Sequence, residues 1–186
     1  MALGIGSGLS FNSSLQDCNW VRIYYNSDQA NNHGIMWTDT HTNTWGGITR
    51  SAGDDYFFSA QMYLAGDWEG TDPVTFKVTM ASKWKEFEIA QNTVVTINTD
   101  STSYTSGMGN NWNSTFYLYQ ASSDASDYPD AGASMYLRNV RIEIKDSGGN
   151  SKYIFEPDIS TGGNSFVDDY SVNGTALTKT VGECLP

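Results

Sequence analysis

The chain has 186 residues, a formal net charge of -11 and a pI near 4.3. This length suits a single β-rich domain with its own core, so we expect one domain over residues 1–186. Its ten Lys and Arg residues are spread along an acidic chain, and no apolar run is long enough to span a bilayer, so nucleic acid and membrane are excluded as partners.

Short runs of β-branched and aromatic residues recur along the chain, separated by Gly, Asn, Ser, Thr and Asp. The run 73–80 is the clearest, because Val74, Phe76 and Val78 alternate with polar residues as in a strand with one buried face. Strands are predicted at 20–25, 34–38, 56–64, 73–80, 84–89, 93–98, 115–120, 134–145 and 152–155. No stretch keeps a helical period for three turns. The sequence therefore predicts an all-β antiparallel sandwich, a jelly roll of about nine or ten strands.

The run 56–64 has two chemically different faces. Phe58, Ala60, Met62 and Leu64 alternate with Ser59, Gln61 and Tyr63. The apolar face is predicted to join the core and the polar face to be open to a ligand. Later in the chain, 121–132 is predicted to be a long polar loop, and the tail 161–180 is expected to have little strand content.

The two cysteines, Cys18 and Cys184, lie near opposite ends of the chain. A bridge between them would close a loop around almost the whole domain, which the chain-entropy model values at about 5 kcal/mol. We expect this bridge and, from it, an oxidising compartment, with two free thiols as the alternative. The acidic composition rich in Gly, Asn, Ser and Thr is common in secreted bacterial proteins, so a secreted bacterial protein is expected. Asp/Asn-rich segments at 124–130 and 168–169 could supply oxygen ligands to a structural calcium ion. No other cofactor is expected.

Three of the six tryptophans, Trp45, Trp68 and Trp112, lie between turn-forming residues. Such flanks predict rings in loops or at strand ends, exposed at the surface. Because no cations stand nearby to bind phosphate, the natural partner of an exposed indole ring is a sugar, whose CH face stacks on it. The alternative is that these rings are plugs that cover the ends of the sandwich.

Further candidates for sugar contact are less strongly indicated. Trp37 and Tyr24 are predicted as additional stacking residues, although Trp37 could face either side of its strand. The polar candidates for hydroxyl groups are Gln61, Arg50, Asn111 and Gln120. Trp20 and Trp84 lie in apolar strands and are predicted to be packed rather than to bind ligand.

Two runs resemble a known class of module. They read DYFFSAQMYL at 55–64 and MYLRNVRIEI at 135–144. They are similar to strands of the β-jelly-roll carbohydrate-binding modules attached to plant-cell-wall glycoside hydrolases, in which a late strand of this type pairs with the first strand. The resemblance spans about residues 20–158. It implies that this domain is a monomer that binds β-1,4-glucan, mixed-linkage β-glucan or xyloglucan without catalysis. It also implies that the domain is tethered to a separate catalytic domain.

Two other classes of function share this composition. Jelly rolls also include glycoside hydrolases and polysaccharide lyases, and a glycosidase needs two facing carboxylates. Glu86 and Glu88 alternate on one strand but lack the third acid of sandwich glucanases, so the sequence predicts that the chain is not an enzyme. An extracellular adhesin or structural sandwich domain is the remaining alternative, and an apolar patch with a polar rim would distinguish it.

Overall fold

The computed structural model describes residues 18–25, 34–38, 54–66, 68, 73–80, 83–98, 115–120, 132–156, 166–170 and 177–186. Within these ranges the chain is all strand and turn, with no helix, and therefore with no helix able to cross a membrane. The strands are β1 (Trp20–Tyr25), β2 (Gly34–Thr38), β3 (Asp55–Ala65), β4 (Val74–Met80), β5 (Lys83–Ile89), β6 (Val95–Asn98), β7 (Thr115–Gln120), β8 (Ser134–Lys145), β9 (Ser151–Phe155), β10 (Phe166–Tyr170) and β11 (Leu177–Glu183).

These strands form two antiparallel sheets. Sheet A has the order β11-β1-β8-β3-β6, with β9 also paired to β8, and sheet B has the order β10-β2-β7-β4-β5. The predicted all-β antiparallel sandwich is confirmed. The total number of strands and the jelly-roll connectivity stay predictions, because parts of the chain lie outside the described residues.

The apolar faces of the two sheets share one core. Phe58, Ala60, Met62 and Leu64 of β3 are each no more than 2% exposed, as the alternation in the sequence predicted. Sheet B supplies Val74, Phe76, Val78, Ile89 and Leu118 to the same cluster. Burial of this apolar area is the main stabilising contribution to the fold, at about 25 cal/mol per Å².

Strand β8 is the centre of sheet A, because it pairs with β1 along one edge and with β3 along the other. A bulge interrupts its register with β3, and Asn139 there has a φ of 53°. The extra residue lets Leu137 and Val140 both point into the core although they are three apart. Arg138 and Arg141 consequently both lie on the outer face of sheet A.

The tail forms two strands that the sequence analysis did not predict. β10 pairs with β2 and β11 pairs with β1, so each is an edge strand of its sheet. The described side chains of β11 include the polar Thr178, Lys179 and Thr180. Edge strands need no continuous apolar pattern, because neighbouring backbone groups hold them, and this is why composition alone missed them.

Cys18 and Cys184 are joined by a disulfide, as predicted from the sequence. Cys18 precedes β1 and Cys184 follows β11, and Trp20 lies opposite Glu183 where these strands pair. The bridge therefore fixes the end of an edge strand to the strand beside it.

The turn between β8 and β9 is organised by Asp146, whose Oδ1 accepts the backbone N–H of Gly148 at 2.9 Å and of Asn150 at 2.8 Å. Hydrogen bonds from the Asn150 side chain, together with these backbone bonds, lower the pKa of the Asp146 carboxyl below its usual value of 3.8. The pKa of Asp146 is lower in the folded state than in the unfolded state. The ionised carboxylate therefore stabilises the fold at pH values above the unfolded-state pKa, and this stabilisation is lost as pH falls through the folded-state pKa.

We expect Asp146→Asn to be less stable than the parent at pH 7. This difference should begin to shrink below about pH 4 and be lost as pH falls through the lowered pKa of the folded parent, because protonation removes the charge of the parent carboxylate. Urea unfolding of both proteins at pH 7 and at pH 2 measures the difference. A difference that is equal at the two pH values would contradict this account of the turn.

Candidate functional site

The outer face of sheet A, opposite to the core, carries a group of aromatic and polar side chains where β1, β8 and β3 lie side by side. Alternation with buried residues directs them outward. We call this group the tyrosine face; it consists of Trp20, Arg22, Tyr24, Gln61, Tyr63, Ser134, Tyr136 and Arg138. The core residues Val21, Ile23 and Leu137 fix which face these side chains take.

The middle row of the tyrosine face runs across three strands, with Arg22 opposite Tyr136 and Tyr136 opposite Tyr63. The Tyr63 and Tyr136 rings meet edge to face with centroids 5.9 Å apart. The Arg22 guanidinium carbon lies 4.9 Å from the centroid of the Tyr24 ring and 5.9 Å from that of Tyr136, both within cation–π range. The row is therefore a continuous layer of aromatic rings around one cation.

Arg22 is oriented by a hydrogen bond as well as by the rings. Its Nε donates to Ser134 Oγ at 2.9 Å. Ser134 and Tyr136 are buried, at 2% and 5% exposed, whereas Arg22, Tyr24 and Tyr63 are half-buried. Burial raises the pKa of the Tyr136 hydroxyl, and the positive charge of Arg22 offsets part of that rise. The side chains available to a ligand are thus Arg22, Tyr24 and Tyr63, with Tyr136 supporting them.

A second row is organised by Arg138. Its Nε donates to Gln61 Oε1 at 2.6 Å, and one Nη donates to Asn19 Oδ1 at 2.6 Å. The same Gln61 oxygen accepts a bond from Asn139 Nδ2 at 3.3 Å. Below the guanidinium lies the Trp20 ring, whose centroid is 4.1 Å from its central carbon. This network holds the polar end of the tyrosine face in one arrangement.

Comparison of the chain with protein-family models, with curated proteins and with solved structures finds no match. The site therefore has to be interpreted from its own geometry. Among the described residues no three His, Cys, Asp or Glu side chains are grouped so that they could hold a metal ion. Segment 124–130 lies outside those residues and the side chains of 168–169 are not described, so the structural calcium stays a prediction.

Two of the predicted site residues lie on the tyrosine face. Tyr24 is half-buried beside Arg22, and Gln61 is half-buried with its oxygen engaged by Arg138. The polar face of 56–64 is thus outward, as the alternation predicted. Gln61 positions Arg138 and leaves only its amide N–H groups as donors to a ligand.

The prediction that Trp68 is an exposed stacking residue is wrong. It is 3% exposed, and its ring meets the Tyr25 ring edge to face at 5.3 Å and the Phe76 ring at 5.6 Å. Its Nε1 donates to the Ala65 carbonyl at 3.2 Å, and its own carbonyl accepts a bond from Gln91 Nε2 at 3.3 Å. Trp68 covers one end of the core, which is the plug that the sequence left as an alternative.

The turn before Trp68 explains why the ring returns to the core. Gly66 has a φ of +89°, and a Cβ there would lie 2.9 Å from the Gly132 carbonyl oxygen. Only glycine fits so close to another backbone in this conformation. The glycine just after the end of β3 was therefore the sequence signal for a tight turn that brings Trp68 inward.

Two further predicted site residues lie in the other sheet and not beside Tyr24 and Gln61. Trp37 is in β2 opposite Phe116, and Gln120 is in β7 opposite Phe76, so both belong to sheet B, and neither side chain is described. Trp45, Trp112, Arg50 and Asn111 lie outside the described residues and stay predictions.

Trp20 is buried, at 1% exposed, as predicted, but it packs under Arg138 rather than in the cluster between the sheets. The side chain of Trp84 is not described.

Sequence reasoning missed Arg22, Tyr136 and Arg138 as site residues, and it placed Tyr63 on the face open to a ligand without naming it as a stacking residue. The signal was present as alternation, since Arg22 and Tyr24 flank the apolar Ile23, while Tyr136 and Arg138 flank Leu137. What the sequence did not show was the register that places β8 between β1 and β3.

Proposed function

We propose that the chain is a non-catalytic module that binds a plant-cell-wall polysaccharide through the tyrosine face and directs an attached enzyme to its substrate. The observation that carries this proposal is the pair of half-buried rings, Tyr24 and Tyr63, on one sheet face with the guanidinium of Arg22 among them. Rings supply stacking surface for sugars, and the adjacent polar groups supply hydrogen bonds to hydroxyls. β-1,4-Glucan, mixed-linkage β-glucan and xyloglucan are the proposed ligands suggested by the resemblance of the β3 and β8 sequences.

The magnitudes are compatible with useful affinity. Stacking of a planar ligand on an aromatic side chain contributes about 1–3 kcal/mol per ring in polymer recognition. Two rings and a few hydrogen bonds then offset the free-energy cost of ordering the polysaccharide chain and leave modest net affinity. Such affinity suits a module that must release and rebind along a polymer.

The topology and the disulfide also support the proposal. The order β1-β8-β3-β6 in sheet A and the order β2-β7-β4-β5 in sheet B support the proposed jelly roll, because a chain wound as two Greek keys interleaves its strands in this way. The Cys18–Cys184 bridge favours an oxidising compartment, and hence a secreted module.

The enzyme alternative has less support from the described carboxylates. Glu86 and Glu88 are exposed on edge strand β5, and Glu86 is paired with Lys77 at 3.2 Å. Asp54 is 2% exposed and accepts a bond from Lys152 Nζ at 2.6 Å. A glycosidase needs two carboxylates that face each other across the substrate, whereas Glu86 and Asp54 each contact a lysine. We therefore propose binding rather than hydrolysis or lyase activity.

The adhesin alternative requires a contiguous exposed apolar patch. The exposed large apolar residues in the described part of the chain are Val94, Ile154 and Val181, which lie near β6, in β9 and in β11 respectively. Single residues on three separate elements do not form such a patch. A surface that reads protein partners is thus less well supported than a sugar-binding face.

Tyr63→Ala is expected to weaken polysaccharide binding by about tenfold, because a tenfold change corresponds to about 1.4 kcal/mol, which lies within the range of about 1–3 kcal/mol for one stacked ring. Affinity electrophoresis against hydroxyethylcellulose, mixed-linkage β-glucan and xyloglucan, for parent and variant, measures the effect. The melting temperature of the variant is measured alongside to establish that it is folded.

The matched control is Phe57→Ala. Phe57 is on the same strand and the same outer face, but six residues from Tyr63, a distance of about 20 Å along a strand. This variant is expected to bind as the parent does. Loss of binding in Phe57→Ala with full binding in Tyr63→Ala would contradict the placement of the site, and retardation of the parent by no polysaccharide would contradict the proposed function.

A further inference from the structure

Arg22 differs from other cations of this acidic protein in its surroundings. Arg141 contacts Glu143 and Glu156, Lys77 contacts Glu86, and Lys152 contacts Asp54. Among the described residues Arg22 forms no ion pair with a carboxylate, and its partners are the Ser134 hydroxyl and the rings of Tyr24 and Tyr136. The chain has 21 acidic residues against ten basic ones, so a half-buried arginine with only neutral partners is an unusual arrangement.

We infer that Arg22 binds a carboxylate of the ligand, so that the tyrosine face prefers a polysaccharide containing uronic acid residues to the neutral β-glucans suggested by the sequence resemblance. This inference rests on the proposed function, because it names the class of sugar that the same face takes. It adds charge recognition to the stacking already proposed for Tyr24 and Tyr63.

The geometry of the guanidinium supports carboxylate recognition. Nε is used by Ser134, which leaves the two Nη groups as donors in a fixed plane. A planar fork of this kind matches the two oxygens of a carboxylate and gives a bidentate, charge-assisted contact. The hydrogen bond to Ser134 and the Tyr24 ring orient that plane before any ligand arrives, so little side-chain entropy is lost on binding.

Uronic acids fit the rest of the face. A uronate differs from a neutral hexose by a carboxylate in place of the exocyclic CH₂OH group, so its ring keeps the CH surface that stacks on a tyrosine. Tyr63 and Arg22 lie in one row across the sheet, on either side of Tyr136. A sugar ring stacked on Tyr63 and a carboxylate bound by Arg22 would therefore belong to neighbouring parts of one polymer. Among the described residues, Glu183 lies close enough for its negative charge to raise the pKa of Tyr136. Glu183 forms no ion pair with Arg22.

The net charge of -11 opposes an acidic ligand, but only at long range. At an ionic strength of 0.1 M the Debye length is about 10 Å, so most of the repulsion between the protein and the polymer is screened. The contact at Arg22 is made at hydrogen-bond distance, where screening is weak. Binding of a uronate polymer is accordingly expected at physiological salt.

The test compares three polymers by affinity electrophoresis and isothermal titration calorimetry in 0.15 M salt: polygalacturonate, its methyl ester and hydroxyethylcellulose. Glucuronoxylan and alginate are added so that polymers with other uronic acids and other linkages are also tested. We expect at least one uronate polymer to bind the parent ten times more tightly than the neutral polymers. Arg22→Gln should remove this preference, so that the uronate polymer binds no more tightly than its methyl ester.

The matched control is Arg141→Gln, which makes the same charge change on the same sheet face at a guanidinium already paired with Glu143 and Glu156. It should keep the preference for uronate. Arg22→Lys, which retains the charge but not the fork, should keep only part of it, and this variant is used if Arg22→Gln does not fold. Binding of neutral β-glucan in preference to every uronate polymer would overturn the inference and leave the proposed function standing, whereas binding of no polymer would overturn both.

Discussion

Trp68→Ala is expected to lower the free energy of unfolding by about 3–5 kcal/mol, which is the usual cost of removing a buried indole ring. The ring is 3% exposed and contacts the Tyr25 and Phe76 rings in the core. Alanine would leave a cavity at one end of the core and remove the hydrogen bond from Nε1 to the Ala65 carbonyl. Denaturant unfolding and the melting temperature measure the loss.

The control for Trp68→Ala is Ile154→Ala, a truncation of a side chain that is 43% exposed. Exposed substitutions of this kind usually change stability by about 0.5 kcal/mol or less. Below its melting temperature, Trp68→Ala should still bind polysaccharide like the parent. If the variant instead kept the stability of the parent and lost binding, Trp68 would be a ligand contact after all, as its flanking residues first indicated.

The strands of this domain were predictable because their sequences carry local signals, either runs of β-branched and aromatic residues or alternation of apolar and polar residues. In β3 every second residue from Phe58 to Leu64 is buried, and the two local signals together predicted β1, β2, β7 and β8 at their observed bounds. The period of a strand is a local property, so a single sequence carries it. β10 and β11 were not predicted from the sequence, because they are edge strands defined by pairing with β2 and β1.

The candidate site was predicted less well, because it depends on which strands become neighbours. Tyr24, Tyr63 and Tyr136 are far apart in the sequence, and they meet only because β8 lies between β1 and β3. The bulge at Asn139 adds a second nonlocal condition, since it sets Arg138 and Arg141 on one face. Flanking residues were a weaker guide, as Trp68 shows, because the same turn formers can carry a ring outward or back to the core.

Removal of the disulfide by Cys18→Ser together with Cys184→Ser is expected to destabilise the domain by up to about 5 kcal/mol, the chain-entropy value for a loop of this size. The two cysteines are 166 residues apart, so in the oxidised unfolded chain the bridge restrains nearly the whole polymer. In the folded state the bridge also ties edge strand β11 to β1 beside the pairing of Trp20 with Glu183. Hydrogen exchange should therefore increase first in β11.

Thiol titration and thermal unfolding separate these effects. The unfolded, unreduced parent should show no titratable thiol, and a reductant should lower its melting temperature to that of the double variant. The same reductant should leave the double variant unchanged, because it has no bridge to break. Two titratable thiols in the parent, or equal melting temperatures of the oxidised parent and the double variant, would contradict the stabilising role of the bridge. The first of those outcomes would also remove the argument for an oxidising compartment, on which the proposal of a secreted module depends.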